Sequence, residues 1–265
     1  MHPLKTSPKA MGYTMPFEGS AHQGTIVLLP YREDTWRNQA QPAREVFLKL
    51  IQIISKYETV YLVADPKISE DELLNFRIPN VEIIRIPYND AWARDNTLIY
   101  LQKEGKNLAI DFRFNAWGGA YDGLYPHYKE DDELGKKLAC YLKNDVHSLS
   151  SFILEGGSIH TDGEGTLITT EACLLSKGRN PKLSRSEIES ILKESLGIKK
   201  LLWLPHGIYN DETNEHVDNM ACFLAPGVVA VANCKDEKDI QYSYSKEAIE
   251  SVSYTHLRAH ETLSD

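Results

Sequence analysis

Residues 158–205 read SIHTDGEGTLITTEACLLSKGRNPKLSRSEIESILKESLGIKKLLWLP. Two short runs, Ser158–Asp162 and Thr166–Thr170, flank the turn Gly163-Glu164-Gly165, which predicts a β-hairpin. Ser184, with Glu187 three residues on, has the spacing of a capping box, and Gly197 suits the end of the helix it opens. Lys200–Pro205 then returns to strand. The order is hairpin, helix, strand.

Working outward, the same order recurs. Upstream, Thr97–Gln102 and Leu108–Phe114 surround Glu104-Gly105-Lys106, followed by an expected helix near 130–142 and a strand near 150–154. Downstream, Asn219–Leu224 and Val228–Asn233 flank Pro226-Gly227. A period of about 60 residues suggests modules stacked around an axis. Further upstream, Gly24–Pro30, Thr59–Ala64 and Val81–Pro87 read as strands. Between the first two, Pro42 opens a helix with Phe47, Leu48, Ile51 and Ile54 at helical spacing. Ser69 with Glu72 is a second capping box, and residues 1–23 read as an irregular entry. The fold class is α/β.

The 265 residues carry 29 Lys+Arg against 38 Asp+Glu, a net charge of −9 that argues against a nucleic-acid backbone binder. No run of 18 apolar residues is present, and the opening MHPLKTSPKAMGYTMPFEGS does not read as a secretory signal. Cys140, Cys173, Cys222 and Cys234 are widely spaced and form no CxxC pair. A cytoplasmic protein without a membrane partner is expected.

Asp95, Glu155 and His216 fall in register with the repeat, separated by 60 and 61 residues. Modules around an axis would aim them at one centre; coincidence is the alternative. His216-Val217-Asp218, read as strand, would put imidazole and carboxylate on one face. A metal site lacks further closely spaced ligands, and a Ser-His-Asp hydrolase lacks the G-x-S-x-G elbow. His160 and Asp162 show the same spacing but lead into a turn, so a surface hairpin is the favoured reading there. Glu155 ends the apolar run Phe152-Ile153-Leu154 and needs a partner or a task to offset desolvation. Trp92-Ala93-Arg94-Asp95-Asn96 reads equally as a solvated Arg-Asp pair beside a core Trp. Asn115–Gly119 suits a loop at a pocket mouth and lacks the spacing of a phosphate loop.

Taken together, NDAWARD (89–95), FNAWGGAYDGLY (114–125), LEGGSIHTDGEGTLITTEACLL (154–175), GRNPKLS (178–184) and WLPHGIYNDETNEHVDNMACFLAPGVV (203–229) resemble the agmatine deiminase family, in the wider group with bacterial-type peptidyl-arginine deiminases. The resemblance covers roughly residues 10–250. It implies an α/β-propeller (pentein) of five ββαβ modules. It also implies hydrolysis of agmatine to N-carbamoylputrescine and ammonia, with no metal or organic cofactor. By resemblance Asp95 and Asp218 bind the guanidinium, His216 is the general acid/base, Glu155 is its carboxylate partner, and Trp92 lies beside the substrate. The chemistry is consistent. A guanidinium keeps its charge (pKa about 12.5 or above), and carboxylates match its planar fork. After Asp95, Asn96-Thr97-Leu98 stand where many members have a Gly-Pro turn.

The resemblance also implies a thiolate nucleophile in a Gly-rich segment near the family's C-terminus, forming a covalent thiouronium intermediate. None of the four cysteines has those neighbours. Cys140 and Cys173 sit in apolar contexts, and Cys222 and Cys234 read as core residues on strands. Residues 253–265 (SYTHLRAHETLSD) do not resemble the family's continuation. The expectation is therefore a partial propeller domain over 1–252, a non-native tail over 253–265, no deiminase activity in this chain, and an unclosed ring with exposed apolar flanks. The alternatives are a peptidyl-arginine deiminase and, in another class, a non-catalytic guanidine-binding protein. Family resemblance also makes a homo-oligomer a candidate assembly for the full-length protein.

Overall fold

The three upstream apolar runs become parallel neighbours in one sheet, β1 (Gly24–Leu28), β2 (Thr59–Ala64) and β3 (Val81–Arg85). Between them run α1 (Gln41–Ile54), with Pro at its N-terminal turn, and the one-turn α2 (Glu70–Leu73). Ser69 and Glu72 form the expected reciprocal capping box on α2. Ile51 of α1 packs with Val60, Leu62 and Phe76 in a core that the sheet and helix share. The short α3 (Ala93–Asn96) follows.

The computed structural model describes residues 6–255. The chain divides into two units. Ser20–Leu98 with His127–Lys143 make one, termed the N-terminal unit; the remaining described residues make the other, termed the modular unit.

The expected repeat is present. In its first copy, β4 (Ile99–Lys103) and β5 (Lys106–Arg113) pair antiparallel, and β5 pairs parallel with β6 (Val146–Ile153). Between β5 and β6 come α4 (Gly119–Asp122) and α5 (Lys129–Tyr141), of which α5 belongs to the N-terminal unit. Strand β6 begins earlier than the sequence reading has it. In the second copy, β7 (Ile159–Thr161) and β8 (Thr166–Thr170) are antiparallel, α6 (Glu171–Leu174) and α7 (Arg185–Leu196) follow, and β9 (Lys200–Leu204) lies parallel to β8. Ser184 and Glu187 cap α7 as expected. Gly197 ends it at φ 67, where a Cβ would sit 1.9 Å from the Tyr13 carbonyl oxygen. The third copy supplies the hairpin β10 (Ala221–Ala225) and β11 (Val228–Val231), then α8 (Ile240–Thr255). The sequence reading assigns no element to 234–252, so α8 is unanticipated. It continues to Thr255; the rest of the expected 253–265 tail lies outside the described residues.

Every residue of β8 is buried. Leu167 packs with Ile188 and Leu192 in one core, while Ile168 packs with Leu204, Val217 and Phe223 in another, the period-2 alternation of a strand covered on both faces. This doubly covered strand leads directly into the polar cluster described next.

Candidate active site

Glu155 follows β6 and is wholly buried. Its backbone carbonyl accepts from the Ser158 amide (3.1 Å) and hydroxyl (2.6 Å), which fixes the 3-10 turn Gly156–Ser158 behind it. Two residues earlier, Asn180 clamps Ile153: its side-chain oxygen accepts from the Ile153 amide (3.0 Å) and its side-chain nitrogen donates to the Ile153 carbonyl (2.9 Å). The Glu155 carboxylate meets Arg179 on one side, with Nε 2.8 Å from Oε1, although the N–H is not aimed along that contact. On the other side, His216 Nε2 lies 3.9 Å from Oε2. Both ion-pair side chains, Glu155 and Arg179, have no exposed surface.

His216 and Asp218 do not lie on a strand, contrary to the sequence expectation. Asn214 (φ 64) and Glu215 (φ 65) are both left-handed, and residues Val217–Asn219 form a 3-10 turn that His216 caps. The Asp211 carboxylate turns the chain here, accepting from the His216 amide (3.1 Å) and from the Thr213 hydroxyl. An extended path, and with it a shared strand face, is excluded. Two consecutive left-handed non-glycine residues cost about 1 kcal/mol or more each. Partners offset this: Thr170 Oγ1 donates to the Glu215 carbonyl (2.7 Å), and the Gly207 amide donates to the Glu215 carboxylate (2.9 Å). His216 is buried and Asp218 half-buried.

Thr170 also caps α6 by accepting from the Cys173 amide (3.2 Å). This brings Cys173, Glu155 and His216 together, with their donor atoms within 4.8 Å of one another. Nothing in the sequence links Cys173 to Glu155 or His216; it reaches them because the α6 turn starts where β8 ends. It nonetheless belongs to the hydrophobic core, as expected. Cys222 lies on β10, but Cys234 lies on no strand, a second correction. The positive charge beside Glu155 is that of Arg179. Burial pulls the Arg179 pKa down, but the charges of Glu155, Cys173 and Asp122 outweigh it and hold the pKa above its ordinary value. The arrangement is thus a buried carboxylate–imidazole cluster with a guanidinium countercharge built in.

His160 and Asp162 are buried, not on a solvated hairpin. His160 Nδ1 accepts from the Phe223 amide (3.2 Å), and Asp162 Oδ1 accepts from the Glu164 and Thr166 amides (2.9 Å each). Both act in the hairpin's own construction. The Asn115–Gly119 loop contains a left-handed pair, Ala116 (φ 55) and Trp117 (φ 64).

Trp92 and Asp95 lie in the N-terminal unit. Trp92 is 40% exposed, so the core reading fails, and it stacks on Trp36 at 5.5 Å and 28°. Trp36 Nε1 donates to Asp90 Oδ1 (2.7 Å). Asp95 is half-buried in α3. Asn96, where the family pattern departs, is buried: its side-chain nitrogen donates to the Asp90 carbonyl and to Asp131 Oδ1 (3.1 Å each). Asp131 Oδ1 of α5 also accepts the amides of Asn89 (2.8 Å) and Asp90 (3.2 Å). Asp131, Trp36, Arg179 and Cys173 carry no periodicity signal that marks them as parts of these assemblies.

A family profile described as Porphyromonas-type peptidyl-arginine deiminase matches residues 14–263. A Selenomonas ruminantium protein named "Putative agmatine deiminase" is 46% identical over 250 residues, which is 92% of this chain and 67% of that protein. Among solved structures, agmatine deiminase of Enterococcus faecalis superposes with a TM-score of 0.89 at 36% identity, over 94% of this chain and 68% of that one. A C. jejuni agmatine deiminase carrying a cysteine-to-serine substitution, with substrate bound, superposes with a TM-score of 0.81 at 31% identity, over 92% of this chain and 71% of that one. The expected fold class, an α/β-propeller (pentein) type with repeated ββαβ modules, holds.

Proposed function

The chain belongs to the Porphyromonas-type peptidyl-arginine deiminase family, and from that premise we propose that it is built for the guanidinium of agmatine, which its enzyme class hydrolyses to N-carbamoylputrescine and ammonia. The observation that carries this reading is the buried Glu155 carboxylate 3.9 Å from His216. In the proposed mechanism Glu155 and Asp218 supply anions for a permanently charged planar group; for Asp95 and Trp92 the substrate-binding role rests on the family resemblance alone. In the family's reaction a thiolate attacks the guanidinium carbon and ammonia leaves; His216 would protonate that ammonia, then take a proton from the water that cleaves the C–S bond and returns the thiolate. The thiolate is not assigned to any of this chain's cysteines. Cys173 approaches the pair from within an apolar core, a packing position.

Relatives at 42–46% identity named as agmatine deiminases favour the small substrate, while the family's description keeps peptidyl-arginine as the second reading. Among the described residues no helix is long and apolar enough to cross a membrane. The four cysteines form no disulfide, which agrees with a cytoplasmic, reducing setting, and self-association belongs to the same reading. Calorimetric titration of the purified chain with agmatine, with 1,4-diaminobutane and with an arginine-containing peptide tests the assignment. Saturable binding of agmatine alone is expected. Preference for the peptide would move the assignment to the second reading, and equal binding of the diamine would remove the guanidinium from it. Ammonia release in the same samples would place a nucleophile among the four cysteines.

A further inference from the structure

Arg179 stands in the loop between α6 and α7, and its guanidinium reaches four places at once. Nε meets Glu155 at 2.8 Å, Nη1 donates to the Trp117 carbonyl and to Asn214 Oδ1 (2.7 Å), and Nη2 donates to the Thr213 carbonyl (2.9 Å). Its side chain is fully buried. Two of these partners sit in the two left-handed pairs near the cluster, Ala116-Trp117 and Asn214-Glu215. The second pair immediately precedes His216. A single buried cation therefore touches the carboxylate of the acid/base pair and both strained turns. The loop that carries it is locked in place: Asn180 clamps Ile153, and a Cβ on Gly178 would lie 2.4 Å from Asp122 Oδ1 and 2.8 Å from the Gly118 Cα.

We propose that Arg179 is a positioning residue that holds the Thr213–Glu215 turn in the shape that delivers His216 to Glu155. The inference rests on the guanidinium reading only for what the pair acts on. The planar fork matters because one head must serve Trp117, Thr213 and Asn214 while its charge faces Glu155. Beside Glu155 stand Arg179, His216 and Cys173, and the charge of Asp122 acts on Arg179.

The test compares the full chain with Arg179→Lys and Arg179→Gln. Three quantities are read: the ring 1H–13C signal of His216, assigned by its loss in His216→Gln; amide hydrogen exchange over 213–216; and agmatine affinity. In both variants exchange at Asn214 and Glu215 rises at least tenfold, because neither an ammonium nor an amide spans three acceptors as the planar fork does, and the His216 ring signal moves from its wild-type position. Agmatine affinity falls at least tenfold. Should Arg179→Gln fail to fold, the Lys variant carries the test alone. Wild-type exchange or a wild-type His216 signal in folded Arg179→Lys overturns the proposal. Absence of agmatine binding to the wild type, with both NMR effects present in the variants, would overturn the substrate reading and leave Arg179 in its role.

Discussion

Two buried carboxylates in this chain are set among different partners. In the modular unit the Glu155 carboxylate lies 2.8 Å from the Arg179 guanidinium. In the N-terminal unit Asp131 Oδ1 collects three N–H donors, from Asn89, Asp90 and Asn96. The first contact is one of opposite charges and the second one of acceptor geometry. Under the proposed function the distinction has a purpose: Glu155 stands beside the imidazole of His216, whereas Asp131 shapes the 89–96 loop.

An isosteric amide at each position separates the two cases. Glu155→Gln leaves the Arg179 charge buried without its partner, and a loss of about 3 kcal/mol in chemical unfolding is expected for the modular unit. Asp131→Asn keeps an acceptor oxygen, and the expected loss is about 1 kcal/mol in the N-terminal unit, measured the same way. Equal losses would erase the contrast. Next in size, Trp36→Leu removes the aromatic under Trp92 and the donor to Asp90. About 1 kcal/mol of stability and a red shift of Trp92 fluorescence are expected. The smallest effect is at Glu72, whose pKa is held down to about 2 by Arg44 first and then Ser69. Because the folded value is depressed, its contribution is present above about pH 4.5 and disappears as pH falls through about 2. Glu72→Gln should cost about 0.5 kcal/mol at pH 7 and nothing at pH 2, read from unfolding midpoints at the two pH values.

The repeat was legible because each copy announces itself locally. The Glu104-Gly105 and Gly163-Glu164-Gly165 turns, the Ser184/Glu187 box and the αL Gly197 are short-range signals, and the structure has each of them. Helix α8 was not legible in advance, since its residues follow no strong apolar stripe. The site divides in the same manner. Glu155 could be singled out because a carboxylate ends an apolar run. The path around His216 could not, because it depends on Asp211, Thr170 and Arg179 bonding to a strained turn from elsewhere in the chain. Arg179 itself looks in sequence like any arginine in a polar loop; only its contacts show that it is buried.

We propose the Glu155–His216 pair as the working face for a guanidinium, and crystals of this chain soaked with agmatine would show whether it is. The guanidinium is expected against the Glu155 carboxylate, with His216 beside its central carbon. Agmatine ordered only elsewhere on the molecule, with Glu155 and His216 untouched, would rule this face out.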